Sequence, residues 1–194
     1  MLSPASCRGK RATQILARRA RFPLADELRS PRGAALGDVF AFISGLYFRG
    51  KLTYARAFAA PRDIHIITPT AGLRSPDTFV TPTAIRDFAR ADIHPGNASY
   101  RTPLEQSAAA LLREVGTGCD VVLLGSIASP KYVSVLVDIF GERLRFPVDF
   151  VGRGDMSRGG LLLRKVREGV ELEYVAVKGA VRHGPRPPKL PKLQ

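Results

Sequence analysis

Asp38-Val39-Phe40-Ala41-Phe42-Ile43-Ser44 is the stretch whose reading decides the fold. Its five central residues are all apolar, and most are aromatic or β-branched, the make-up of a buried strand. Read as a strand over 38–44, it opens a β/α succession, with a helix over 51–60 after the Gly45 to Gly50 segment. Read as a helix, it runs on through Gly45 and Gly50, and two interior glycines cost such a helix roughly 2 kcal/mol. The strand–loop–helix reading is therefore favoured.

The rest of the chain extends that alternation. Ile64 to Ile67 reads as a buried strand ended by Pro69, which leaves Thr68 to Arg74 as a polar loop. Thr81-Pro82 and Thr102-Pro103 each place a capping hydroxyl before a proline, so helices are expected over 82–91 and 103–115. Glu105 supplies the capping-box carboxylate of the second. Asp120 to Leu124 reads as a core strand, Ser129-Pro130 starts a helix over 131–140, and 143–150 is a further strand. Residues 152–160 form a glycine-rich loop, and 161–166 with 170–177 form an antiparallel pair. The fold class expected is α/β, a mainly parallel sheet of about four to five strands with helices on both faces, plus a C-terminal antiparallel hairpin.

The chain has 194 residues and a formal charge of +13, and that charge is unevenly spread. Residues 1–33 carry eight Arg/Lys against two Asp/Glu, and residues 178–194 carry five against none. The difference leaves +2 for residues 34–177. Three segments follow: a basic N-terminal arm (1–33), one α/β domain (34–177) and a basic, proline-rich C-terminal tail (178–194). Basic ends attract nucleic acid by counterion release, and a pair of solvated tails that aid solubility accounts for the same charge. Two cysteines make neither a disulfide framework nor a metal cluster, and the three histidines have no metal-ligand spacing. The first 25 residues are as basic as a transit peptide or a plain basic arm, without the apolar core of a secretory signal. No apolar run approaches the length of a transmembrane span. A cytoplasmic protein is expected.

Ligands of open α/β sheets bind outside the carboxyl ends of the strands. That rule selects four polar loops: Ser44 and Gly45 with Arg49; Thr68, Thr70 and Arg74; Gly125 and Ser126 with Lys131; and Arg153, Asp155, Ser157 and Arg158. In the last, backbone N–H groups and two guanidinium forks suit an anion such as phosphate, and Asp155 is the candidate general acid/base. The sequence holds no Gly-x-Gly-x-x-Gly, P-loop or Gly-x-Ser-x-Gly motif and names no cofactor.

The order Phe42-Ile43-Ser44-Gly45, Leu46-Tyr47-Phe48, Tyr54-Ala55-Arg56-Ala57-Phe58, Ile66-Ile67-Thr68-Pro69-Thr70-Ala71-Gly72-Leu73 and Pro76-Asp77 resembles small uncharacterised bacterial α/β domains. Val122-Leu123-Leu124-Gly125-Ser126, Lys131-Tyr132-Val133 and Phe146-Pro147 before the glycine loop extend the likeness over residues 38–160. These domains are similar to uracil-DNA-glycosylase-like and YaaA-like folds. The glycosylases' water-activating aspartate and catalytic histidine motif have no counterpart here. The resemblance implies the fold and a site at the strand ends. The function expected is an enzyme acting on a nucleotide or nucleic acid through an anion site. The alternatives are a non-catalytic nucleic-acid binder using the basic termini, and a protein-interaction module using the proline-rich tail.

Overall fold

Leu36, Val39, Phe40 and Ile43 stand at i, i+3, i+4 and i+7, and all four are buried on one face of a helix. The expected strand over 38–44 is therefore a helix. The unbroken apolar run hid its period, because Ala41 and Phe42 on the other side are half-buried too, Phe42 stacking on Phe22 at 5.1 Å.

A computed structural model describes residues 1–190. In chain order it contains α1 (Lys10–Leu16), α2 (Pro23–Arg29), β1 (Ala34–Ala35), α3 (Leu36–Ser44), α4 (Leu46–Phe58), β2 (Ile66–Thr68), β3 (Gly72–Arg74) and β4 (Phe79–Val80). There follow α5 (Pro82–Arg90), α6 (Ala98–Val115), β5 (Val121–Val122), α7 (Pro130–Phe140), β6 (Leu144–Pro147), α8 (Asp155–Glu168) and β7 (Tyr174–Ala176).

The mainly parallel sheet of four to five strands is not formed. The described residues hold eight α-helices and three small sheets: β1 with β4, β2 with β3, and β5-β6-β7. Only β5 and β6 pair in parallel; the other strand pairs are antiparallel. The start of the chain stitches two of these sheets together. Leu2 makes parallel bridges to Ile66 on one side and Leu124 on the other. Its N–H donates to the His65 carbonyl at 2.7 Å and its carbonyl accepts from Ile67 at 2.9 Å, while Ser3 N–H donates to Leu124 at 3.2 Å. Residues 1–33, read from sequence as a basic arm, thus place Leu2, Ala12, Ile15, Ala25 and Leu28 in the hydrophobic core.

The glycine-rich stretch is also corrected. Gly152 has φ +71° and Gly154 stands before the first helical residue, but from Asp155 onward the chain is α8, through both Gly159 and Gly160. The expected C-terminal hairpin over 161–177 is absent, since its first half lies inside α8. The helix carries Asp155 in its first turn, Lys165 and Arg167 in its last, and a left-handed Gly169 at its end. Each is a favourable helix-end residue. Gly159 is there for packing. A Cβ on Gly159 would lie 2.8 Å from the Leu46 carbonyl oxygen, and one on Gly50 would lie 2.7 Å from the Gly159 carbonyl oxygen. Backbone packs on backbone where α4 crosses α8. That contact accounts for α4 running unbroken through Gly50, where a loop was expected.

Gly45, at φ +64° and ψ −129°, turns the chain between α3 and α4. α6 starts at Ala98, five residues before Pro103, because the Asn97 side chain caps it by accepting from Ser99 N–H at 3.1 Å. Glu105 pairs with Arg101 at 2.6 Å instead of closing a capping box. Past β7 the tail lies along α8: Gly184 packs on Val151 and Leu190 on Gly160. Residues 191–194 of the expected tail lie outside the described residues. No helix among the described residues is long and apolar enough to cross a membrane.

Candidate functional site

The chain start, having passed between β2 and β5, emerges as Ser3 to Arg8 into a cleft of about 580 Å³. Around that segment stand Ser44 and Tyr47 from the α3–α4 corner, Pro69 after β2, and Ser126 after β5. The first residues of two helices complete the wall: Ser129, Lys131 and Tyr132 of α7, and Asp155 of α8. Neither helix has a side-chain cap on its N-terminus. The starts of both helices therefore border one concavity, and a helix N-terminus carries about half a positive charge.

A buried lysine lies beneath the cleft floor. Lys51 is 1% exposed, and its Nζ donates to the Ser3 carbonyl at 2.6 Å and to Ser3 Oγ at 2.8 Å. Nζ also sits 4.5 Å from the Tyr47 ring centre and 4.8 Å from that of Phe48. Burial pulls its pKa down to about 7, with the Asp155 carboxylate working against that shift and the Arg158 guanidinium adding to it. The Tyr132 hydroxyl donates to the Ser126 carbonyl at 2.9 Å and crowds Gly125, where a Cβ would lie 3.0 Å from that hydroxyl and 2.8 Å from Ser3 Cβ. Gly125 thus makes room for Ser3 and Tyr132; it is a packing position. Tyr47 lines the cleft, with its buried hydroxyl beside the Arg158 guanidinium.

Cys7 also lines the cleft, but burial pushes its thiol up to about 12, so it is not a thiolate there. Arg8 is anchored on the C-terminal end of α5, donating to the carbonyls of Ala89 at 2.7 Å and Ala91 at 3.0 Å. No group of three or more metal-ligating side chains occurs among the described residues.

Of the residues singled out from the sequence, Ser44, Ser126, Lys131 and Asp155 meet in this cleft, with Gly125 at its floor. Thr68 is buried and its hydroxyl serves the β2–β3 turn, donating to the Gly72 carbonyl at 2.8 Å and accepting from Ala71 N–H at 3.0 Å. Thr70 lies in that turn, and Arg74 is exposed on β3; neither lines the cleft. Arg158 is buried, with Nε and Nη2 donating to the Phe150 carbonyl at 3.2 and 3.0 Å and Nη1 3.5 Å from Asp155. Its fork holds the turn into α8. Arg153 donates to the Asp149 carbonyl at 3.0 Å and to Ser157 Oγ at 3.3 Å. Both residues line a separate pocket of about 430 Å³ under the tail. The two guanidinium groups do not converge.

Sequence reasoning missed Ser3, Tyr47, Lys51 and Tyr132. Lys51 had a readable signal: it falls on the same helical face as Tyr47, Tyr54 and Ala55, the sole cation among the buried residues of α4. No family model, curated protein or solved structure matches the chain.

Proposed function

We propose that the cleft is the active site of an enzyme acting on a phosphate-bearing substrate, a nucleotide or a short nucleic-acid strand. The observation that carries this reading is that one cleft gathers the start of α7, with Ser129, Lys131 and Tyr132, and the first residue of α8, Asp155. Helix N-termini are anion sites, each worth about 0.3–1 kcal/mol to a negative group and up to ~2 kcal/mol when partly buried. Lys131 adds an exposed ammonium at the same rim. Tyr47 and Phe88 supply an aromatic wall for a base, and Ser44, Ser126 and Ser129 supply hydroxyls for a sugar. Asp155 stands at the mouth as the acid/base group.

A thermal-shift series on the full chain with nucleobases, nucleosides and nucleotides tests this. A ligand that binds the folded state raises the melting temperature by mass action. Nucleotides are expected to raise it and nucleosides to do so less, with Lys131→Ala reducing the nucleotide effect. A flat response to all three classes sinks the reading.

A further inference from the structure

Ser3 and Lys51 form an arrangement that anion binding does not require. Ser3 belongs to the cleft wall, and its Oγ lies 2.8 Å from Lys51 Nζ. We propose that Ser3 is the nucleophile of this cleft and Lys51 its general base, acting on the carbonyl of an ester that carries a negatively charged group. The negative charge of the substrate rests on the anion-site reading of the same cleft; the Ser3–Lys51 chemistry does not.

A neutral lysine amine has two hydrogens and one lone pair. One N–H satisfies the Ser3 carbonyl at 2.6 Å, and rotation about the Cε–Nζ bond lets the lone pair of the neutral amine accept from the Ser3 hydroxyl at 2.8 Å, reversing the bond that the charged ammonium donates there. The rings of Tyr47 and Phe48 lie 4.5 and 4.8 Å from Nζ, and among the described residues no carboxylate stands within hydrogen-bonding or ion-pair distance of Lys51. That environment favours the neutral amine a base must be. The groups facing Nζ are Asp155 and Arg158 on α8, opposite in sign, Tyr47 on its own helix, and the Met1 nitrogen. As Ser3 Oγ bonds to the carbonyl carbon, its proton passes to Nζ. Collapse of the tetrahedral intermediate breaks the bond to the leaving alcohol, which takes that proton. Water then attacks the acyl-serine by the same route and returns the hydroxyl. The lysine plays the part that histidine plays in serine hydrolases.

The test is covalent labelling of the full chain with a biotinylated fluorophosphonate, whose phosphorus a nucleophilic serine attacks with loss of fluoride. The adduct is expected on Ser3 by peptide mapping, with a rate that rises with pH through neutrality. Ser3→Ala abolishes it, Lys51→Met slows it at least about 100-fold, and Arg74→Ala, outside the cleft, leaves it unchanged. Absence of a Ser3 adduct in the unmodified protein overturns the proposal, as does labelling of a folded Lys51→Met variant at the full rate. Where Lys51→Met does not fold, the pH profile of the unmodified protein decides, and a rate flat across neutral pH overturns the proposal. The probe carries no nucleotide. A Ser3 adduct without any nucleotide-induced thermal shift therefore removes only the nucleotide reading, and a thermal shift without the adduct removes only the dyad.

Discussion

A side-chain carbon on Gly50 would stand 2.7 Å from the carbonyl oxygen of Gly159, so α4 and α8 touch through their backbones. A glycine in mid-helix costs up to about 1 kcal/mol relative to alanine, yet both helices accept one at the same crossing. The close approach matters to the cleft, because α4 carries Tyr47 and Lys51 and α8 presents Asp155. Gly159→Ala should gain helix propensity and lose more by forcing the helices apart. A net destabilisation of about 1–3 kcal/mol is expected in urea unfolding, the size of an overpacked core site. Gly160→Ala, whose added carbon would meet only Leu190 at 3.8 Å, should be neutral or stabilising. Equal effects at the two positions would show that the crossing is not tight.

Lys51 should make stability depend on pH. Its pKa falls from 10.5 to about 7 on folding, so between those values the unfolded chain binds the extra proton. Stability therefore rises with pH across that window, by at most about 1.4 kcal/mol per pH unit, and is lowest below it, where burial of the charged form is felt in full. Lys51→Met has similar length and no charge. The difference between the two proteins should favour the methionine variant at neutral pH and shrink as the pH rises. Parallel stability–pH curves would contradict burial of the amine.

The parts of this fold legible in the sequence are those written in local chemistry. Ser129-Pro130 and Thr81-Pro82 start α7 and α5 at the expected residues, although neither hydroxyl makes the capping bond. Asp155, Lys165, Arg167 and Gly169 carry the end signals of α8, but Gly159 and Gly160 masked them, and the reason for Gly159 lies in α4, more than 100 residues away in the chain. Val39 to Ile43 misled for a related cause: a helix covered on more than one side loses the alternation that would reveal its period. Ser126 and Lys131 were legible because a strand end and a helix start are local signals, whereas Ser44 closes helix α3 and not a strand, and Asp155 opens α8 and does not lie in a loop. Ser3 was not legible, since its place depends on Leu2 lying between Ile66 and Leu124, two pairings at long range.

The two cysteines should differ sharply in reactivity. Cys119 is exposed, whereas Cys7 is buried with its thiol pushed from 9.0 up to about 12. Alkylation proceeds through the thiolate. At neutral pH the shift alone lowers the Cys7 thiolate population about a thousandfold. Iodoacetamide should therefore modify one thiol in the folded chain and two in denaturant, and Cys119→Ser should leave the folded protein almost inert. Rapid modification of Cys7 in the native state would mean that the Ser3 to Arg8 segment opens readily, and the cleft with it.

The C-terminal strand is tied to α4 by a relay of hydroxyls. The buried Leu172 N–H donates to Tyr54 Oη at 2.7 Å, Tyr54 and Tyr174 hydroxyls lie 2.6 Å apart, and Tyr174 donates to Glu171 at 3.1 Å. With Tyr174 donating to the carboxylate, the Tyr54 hydroxyl donates to Tyr174. Removing the first hydroxyl leaves a buried backbone donor without an acceptor, whereas removing the second takes the acceptor from the Tyr54 hydroxyl, which can rotate toward water at the half-buried Tyr174 position. Tyr54→Phe should therefore cost about 1–3 kcal/mol, a fall of roughly 2–10 °C in melting temperature for a chain of this size. Tyr174→Phe should cost less. Hydrogen exchange gives the site-specific check: the Leu172 amide should lose protection in Tyr54→Phe and keep most of it in Tyr174→Phe. Equal protection in the two variants would place the acceptor of that amide elsewhere.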